Sequence, residues 1–280
     1  MNSQIIIRPA TVNDQGALDN LLSYEFFIHQ HLDWRPVLDW LGFQPFYIAT
    51  RNDEAIACLA APSEVKGVAW VRLFACSSLF SRDEMWDILF EKILSSYQKI
   101  EMIAVLGIEK WFVNLLLKKS YVVYQNIIVY ERMQSHFEKA KNDFKVIIRQ
   151  ARLEDLFEIA QLDSKCFAPL WQLSEEPMQK AYYQSGYVTL AEYQGKIIGY
   201  QITTETFSNA HLARLAVDPD YQGKNVGKVI LSDLFNHYQK LGIQRITVNT
   251  QDDNVRSKAL YEKMGFIKTQ DGYPVLIYKL

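Results

Sequence analysis

The sequence predicts a mixed α/β protein built from two tandem domains, each a central mixed β-sheet flanked by helices. Three observations carry that expectation: an internal repeat, an ordinary globular composition, and short strand runs alternating with amphipathic helical stretches. Ile5-Ile6-Ile7-Arg8-Pro9-Ala10, followed by Asp14, returns as Val146-Ile147-Ile148-Arg149-Gln150-Ala151, followed by Asp155, at an offset of 141. Val71-Arg72-Leu73-Phe74-Ala75 returns as Ala213-Arg214-Leu215-Ala216-Val217 at 142, and Lys119-Ser120-Tyr121 as Met264-Gly265-Phe266 at 145. Three echoes in one order with slowly growing offsets fit a duplication with small insertions. A length of 280 residues allows two domains. The expected division is 1–135, a polar linker over 136–144, and 145–280.

Hydrophobic residues make up 49% and charged residues 22%, which argues against disorder and coiled coil. No run of about 18 apolar residues is present, so no membrane span is expected. The first ten residues carry no basic-then-apolar secretory pattern, and a cytoplasmic location follows as the expectation. Cys58, Cys76 and Cys166 are odd in number and far apart, which fits reduced thiols rather than disulfides or a metal site. His29 and His31 have no further nearby ligands, so no metal is expected there either. Thirty basic against 32 acidic residues leave −2, with no general attraction for nucleic acid.

The second half reads as a strand over 145–148, a helix over 153–166, and a hairpin of strands 187–193 and 196–204 turning at Gln194-Gly195. A strand over 211–217 leads to an amphipathic helix over 226–241 ended by Gly242. A strand over 245–249 and a helix over 254–264, capped by Asn254 and stopped at Gly265, follow. Strands at 266–268 and 275–279 close the sheet.

The turn from strand to helix, Leu215-Ala216-Val217-Asp218-Pro219-Asp220-Tyr221-Gln222-Gly223-Lys224-Asn225-Val226-Gly227-Lys228, has the makings of an anion site. Amides at a helix start are unpaired and sit at the positive end of the macrodipole. Small residues let a phosphate approach that backbone, and Lys224 and Lys228 add charge. A Walker A loop needs one more residue between Gly223 and Lys228 and a following Ser or Thr, and G-x-G-x-x-G is missing.

Gln222-Gly223-Lys224-Asn225-Val226-Gly227 resembles the acetyl-CoA loop of the GCN5-related N-acetyltransferase (GNAT) superfamily, Arg/Gln-x-x-Gly-x-Gly/Ala, with Asn225 where that pattern has its first glycine. Asn is the residue that best tolerates positive φ after Gly. Downstream, Asn254-Val255-Arg256-Ser257-Lys258-Ala259-Leu260-Tyr261-Glu262-Lys263-Met264-Gly265-Phe266 is similar to the family's Asn-x-x-Ala-x-x-x-Tyr-x-x-x-Gly-Phe helix, one residue longer before the alanine. The resemblance covers 145–280 and implies tandem GNAT-like domains with one catalytic copy, in the second half.

The same resemblance implies acetyl-CoA as cosubstrate, without metal, and a small-molecule or peptide amine as acceptor. It implies cofactor contacts at Leu215, Ala216, Val217, Gln222, Gly223, Lys224, Asn225, Val226, Gly227, Lys228, Asn254 and Ser257, with Tyr261 as general acid on the CoA sulfur. Asn254, Ser257 and Tyr261, three and four apart, are expected to share a helix face. His211 is the candidate base, placed with Ala213, Leu215 and Val217 on one strand face, and Glu205 is the fallback. The alternatives are a non-catalytic CoA-binding regulatory module and a nucleotide-binding regulator.

In the first half Phe80 falls at the Gln222 position, no glycine lies between Cys76 and Trp86, and Leu116 falls at Tyr261. That copy is expected to be degenerate and unable to bind CoA. Its aromatic segment Tyr24–Trp40 either packs in its own core or walls the catalytic half. The chain is expected to act as a monomer or a homodimer.

Overall fold

The computed structural model describes residues 4–133 and 140–280. Four residues of the expected linker, 136–139, lie outside the described residues, as do 134 and 135. In chain order the elements are β1 (Ile6–Pro9), α1 (Gln15–Tyr24), β2 (Phe27–Gln30), β3 (Phe46–Arg51), β4 (Glu54–Ala60), β5 (Val68–Trp70), β6 (Leu73–Cys76), α2 (Arg82–Ser96), β7 (Met102–Leu106), α3 (Lys110–Leu117) and β8 (Val122–Met133). The second half continues with β9 (Ile147–Gln150), α4 (Leu156–Cys166), α5 (Glu175–Gln184), β10 (Tyr187–Tyr193), β11 (Lys196–Glu205), β12 (Asn209–Val217), α6 (Val226–Lys240), β13 (Arg245–Gln251), α7 (Val255–Lys263) and β14 (Ile267–Lys279).

The chain divides into two compact units, one running to Tyr124 and including Tyr273–Leu280, the other Gln125–Gly272. This differs from the division read from sequence in two places. Most of β8 belongs to the second unit, and the last eight residues belong to the first. The reason is strand pairing: β8 runs antiparallel to β13, Ile127↔Gln251 through Met133↔Arg245. The end of β14 runs antiparallel to β7, Val275↔Leu106 through Lys279↔Met102. The two strands expected at 266–268 and 275–279 are one continuous β14, and α5 has no counterpart in the sequence reading.

In the first unit the order β1-β3-β4-β6-β2 is antiparallel throughout, while β5 runs parallel to β7. β5 and β6 form one path that changes partner at Val71-Arg72. Val71 N–H still reaches Ala104 O at 2.9 Å, and Arg72 N–H turns to Ala60 O at 2.8 Å. α2 buries Met85, Trp86, Leu89, Phe90 and Ile93, a helical spacing, against Phe74 and Phe112. The aromatics of 24–40 divide: Phe27 sets its ring edge on Trp111 at 5.5 Å and Trp40 is core, whereas Tyr24 and Phe26 are exposed. These contacts lie within the first unit itself.

In the second unit β8 is flanked by β14 and β13, and the order continues β12-β11-β10-β9. β12 carries a bulge. Ile202 faces Arg214 and Thr203 faces Leu212, so Ala213 is the extra residue. Below the bulge β12 pairs in parallel with β13, but only from Asn209↔Arg245 to Leu212↔Val248; beyond that the two strands part. Because a bulge shifts the alternation of faces, Ala210, Leu212 and Leu215 all pack toward Leu231 and Leu234 of α6. Arg214 points the other way, onto Asp163 of α4.

The repeat is visible in contacts as well as letters. Arg8 reaches Asp14 at 2.8 Å and Arg149 reaches Asp155 at 2.7 Å. Each carboxylate also accepts an N–H at the start of the following helical turn, from Thr11 at 2.8 Å and Arg152 at 2.7 Å. A second matched pair of arginines is buried, Arg72 on Asp33 and Glu64, and Arg214 on Asp163.

Two predictions follow. Asp163 is completely buried and accepts from Arg214, Tyr200 and the Leu173 N–H. Asp163→Asn leaves Arg214 uncompensated and is expected to cost about 3 kcal/mol, measured as a shift in denaturant midpoint. A loss below about 1 kcal/mol contradicts this. The Arg8 guanidinium holds the Asp14 carboxyl down, to about 2. A depressed acid stabilises the fold above its unfolded pKa near 3.9 and loses that contribution as pH falls toward the folded value. Arg8 is half exposed, so screening limits the effect to roughly 1 kcal/mol. Wild type minus Asp14→Asn stability, followed by urea melts, is expected to shrink between pH 5 and pH 2.

Candidate active site

Where β12 and β13 part, β12 keeps β11 on one side and offers a bare edge on the other. Asp218 N–H donates to Ile198 O at 2.8 Å. Amides alternate sides along a strand, so that of Ala216 also faces β11, and those of Leu215 and Val217 face the gap. A cleft of about 810 Å³ opens along this edge. Leu215, Ala216 and Val217 form one wall, with Cys166 and Phe167 beside them at the end of α4. Burial raises the Cys166 thiol to about 11, so it stays protonated near neutrality.

The strand leads through Pro219–Tyr221, a single 3₁₀ turn held by Asp218, into the start of α6. Gly223 and Asn225 have φ of 78° and 63°, the left-handed region, and Asn225 stands where the backbone requires it. Asn225 is the N-cap of α6 and its side chain makes no capping hydrogen bond. The first-turn amides of Val226, Gly227 and Lys228 thus lack a side-chain cap, and all three residues line the cleft. A Cβ at Gly227 would stand 3.0 Å from Leu260 Cδ2, so glycine sets how closely α6 and α7 approach.

Of the residues expected to contact the cofactor, Gln222, Gly223, Asn225, Val226, Gly227, Lys228, Asn254 and Ser257 also line the cleft. Lys224 does not: its Nζ donates to Asp220 O at 3.1 Å and lies over the rings of Tyr221 and Phe144. Two cations that sequence reasoning missed, Arg256 and Lys263, take part instead. They are seven apart, two helical turns, and therefore on one face of α7, a spacing the sequence contains. Arg256 donates to Gln222 Oε1 at 2.7 Å while Gln222 Nε2 donates to Val217 O at 3.0 Å. Asn254 caps α7, accepting the Ser257 N–H at 3.1 Å. Lys228, Arg256 and Lys263 meet no carboxylate among the lining residues.

Tyr261 is one turn beyond Ser257 but deeper. Its ring packs on Phe266 and Tyr130, and it belongs to the core rather than the cleft lining. Its hydroxyl has no hydrogen-bond partner among the described residues, and burial pushes the phenol well above its ordinary range. His211 occupies the last stretch of β12 still paired with β13, opposite Thr247. The bulge at Ala213 overturns the single-face expectation: His211 lies on the face opposite Leu215. Burial lowers the His211 imidazole, which is therefore neutral near pH 7. Glu205 crowds Gly186 at the far end of β11.

The corresponding place in the first unit is closed. β2 pairs along β6, Phe27↔Cys76 through Gln30↔Leu73, on the edge that β12 leaves bare. The start of α2 is capped by Ser81, which accepts the Glu84 N–H, and its first turn carries Asp83 and Glu84. Those charges repel an anion where Gly227 and Lys228 admit one. Leu116 is buried in the core.

Residues 156–266 match the family described as Acetyltransferase (GNAT) family. The chain is similar to the [ribosomal protein bS18]-alanine N-acetyltransferase of Escherichia coli (strain K12), 35% identical over 72 residues, covering 26% of this chain and 49% of that protein. It thus spans about half the length of that relative. The uncharacterized N-acetyltransferase ycf52 of Porphyra purpurea is 26% identical over 166 residues, 53% of this chain and 91% of that one. Among solved structures, a GCN5-related N-acetyltransferase from Sphaerobacter thermophilus superposes at a TM-score of 0.63 with 15% identity, covering 98% of this chain and 95% of that one. A tandem GNAT protein from the clavulanic acid biosynthesis pathway gives 0.63 with 12% identity, covering 99% and 98%. At such identities these two speak to the fold alone. Residues 156–266 thus carry the sequence pattern of the GNAT family, and the chain as a whole has the fold of tandem GNAT-like domains.

Proposed function

We propose that the second unit transfers an acetyl group from acetyl-CoA to a primary amine. The observation that carries the reading is a bare strand edge running into an uncapped, cation-flanked helix start within one cleft. An extended amide-bearing arm suits the Leu215–Val217 edge, and a diphosphate suits the α6 amides with Lys228. The amine nitrogen attacks the thioester carbon; an edge N–H polarises the carbonyl oxygen. The carbon–sulfur bond then breaks, the thiolate takes the Tyr261 proton, and the proton of the amine goes to His211, directly or through water. His211 and Tyr261 lie on opposite sides of the sheet, which suits an amine and a thioester meeting at the fork from opposite faces.

The acceptor is a small-molecule or peptide amine. The relative named for an alanine N-terminus makes an Ala-initiated peptide the first probe, followed by glucosamine, free amino acids and polyamines. One observation favours a non-catalytic CoA-binding module instead: Tyr261 lies outside the cleft lining. Thiol release separates the two readings, because a sensor binds acetyl-CoA and releases no CoA with any amine.

Calorimetric titration is expected to give one acetyl-CoA site per chain, lost in Gly227→Trp, whose indole cannot fit beside Leu260. Two sites would mean the first unit is open after all; no binding would overturn the reading. Tyr261→Phe is expected to lower kcat by roughly 100-fold with little change in the KM for acetyl-CoA. An unchanged kcat removes Tyr261 from the reaction.

A further inference from the structure

Three strands of the second unit set a row of side chains across the sheet face opposite α6. His211 of β12 stands beside Thr247 of β13, and Thr247 beside Glu131 of β8. The contact that matters is His211 Nδ1 to Thr247 Oγ1, 2.8 Å. Thr247 Oγ1 is also 3.4 Å from Ala210 O, and a carbonyl only accepts. A threonine hydroxyl has a single hydrogen. If Ala210 O takes it, Oγ1 meets the imidazole as an acceptor, and Nδ1 must carry the ring proton.

We propose that Thr247 is a positioning residue that fixes His211 as the Nδ1–H tautomer, leaving the Nε2 lone pair free to accept the proton of the attacking amine. The proposal rests on the reading of this unit as an amine acetyltransferase. Nε2 has no partner among the described residues and is not sealed from solvent. Without Thr247 the two neutral tautomers of an imidazole interchange, and the form protonated at Nε2 is no base. On transfer, Nε2 gains the amine proton, the ring becomes an imidazolium that still donates through Nδ1, and the proton then leaves to solvent.

The surroundings keep this arrangement from being a charge effect. Glu131 is paired with Arg245 at 2.9 Å, and Arg214, on the same face of β12, is paired with Asp163. On the other side β11 places Thr204 against His211, and α5, packed on β11, buries Pro177, Met178 and Ala181, none of them charged. Among the described residues only Thr247 makes a side-chain hydrogen bond to this imidazole.

The first test needs no substrate. Long-range ¹H–¹⁵N spectra of protein with labelled histidine, with His211 assigned from His211→Ala, are expected to show Nδ1 protonated and Nε2 bare in wild type. Thr247→Val is expected to show a mixture, and Thr247→Ser the wild-type pattern. Nε2–H in wild type, or an unaltered tautomer in a folded Thr247→Val, overturns the proposal whatever the enzyme does. The second test is thiol release from acetyl-CoA with the Ala-initiated peptide, or with the panel amine that reacts fastest. Thr247→Val is expected to lower kcat about tenfold, with unchanged KM for acetyl-CoA and an altered acidic limb of the pH profile; Thr247→Ser is expected to restore both. Wild-type kcat and profile in Thr247→Val, alongside an impaired His211→Ala, overturn the role of Thr247 alone. An unimpaired His211→Ala overturns the base itself.

Discussion

One extra residue governs the second unit. Ala213 cannot find a place in the ladder between β11 and β12, and from that point β12 tilts away from β13. Two ordinary neighbouring strands thereby become a fork whose edge N–H groups, at Leu215 and Val217, face no partner strand. A bare edge inside a protein is a liability unless something covers it. Here the edge ends at the start of α6, whose amides are equally unsatisfied, so both sets of donors meet in one cleft. The buried Arg214–Asp163–Tyr200 set braces the bulge from the opposite face and holds the end of α4 against it. Binding, on this view, comes from backbone left unpaired by geometry, with the side chains of α7 contributing charge.

The first unit shows the same constraint resolved differently. Its strand path also changes partner at the matching place, Val71-Arg72, and its edge is equally in need of company. The chain supplies its own strand, β2, and adds a serine cap and two acids to the neighbouring helix. The duplicated Arg–Asp pairs survived in both copies because they hold the fold together. The uncapped helix start persists in the second copy alone, where an anion can complete it.

The sequence made much of this legible, for identifiable reasons. The repeat at 141 marks arginine–carboxylate pairs that each tie a strand to the helical turn after it, so Arg8, Asp14, Arg149 and Asp155 stand out. Gly223, Asn225 and Gly227 are readable because positive φ and close helix approach restrict residue choice. What escaped was non-local. Strand partners such as β8 with β13 are set by tertiary pairing over more than a hundred residues, which no window of sequence contains. The bulge at Ala213 leaves no compositional mark, and it alone moves His211 to the other face. Lys224 looked like a phosphate ligand beside Lys228, but its ammonium lies over Tyr221 of the same loop and over the distant Phe144. Arg256 and Lys263 were hidden in the ordinary charge pattern of an exposed helix.

The crossed strands make the protein a single heritable piece rather than two joined ones. β8 is encoded before the charged segment that looks like a linker and serves the unit encoded after it. Residues Val275–Lys279 pair into the sheet of the unit encoded first. A recombination event at the apparent boundary would therefore deliver two incomplete sheets, each with an open edge ready to pair with a stranger. Lineages carrying this arrangement are expected to keep both copies together, which gives the first unit a reason to persist that has nothing to do with a ligand.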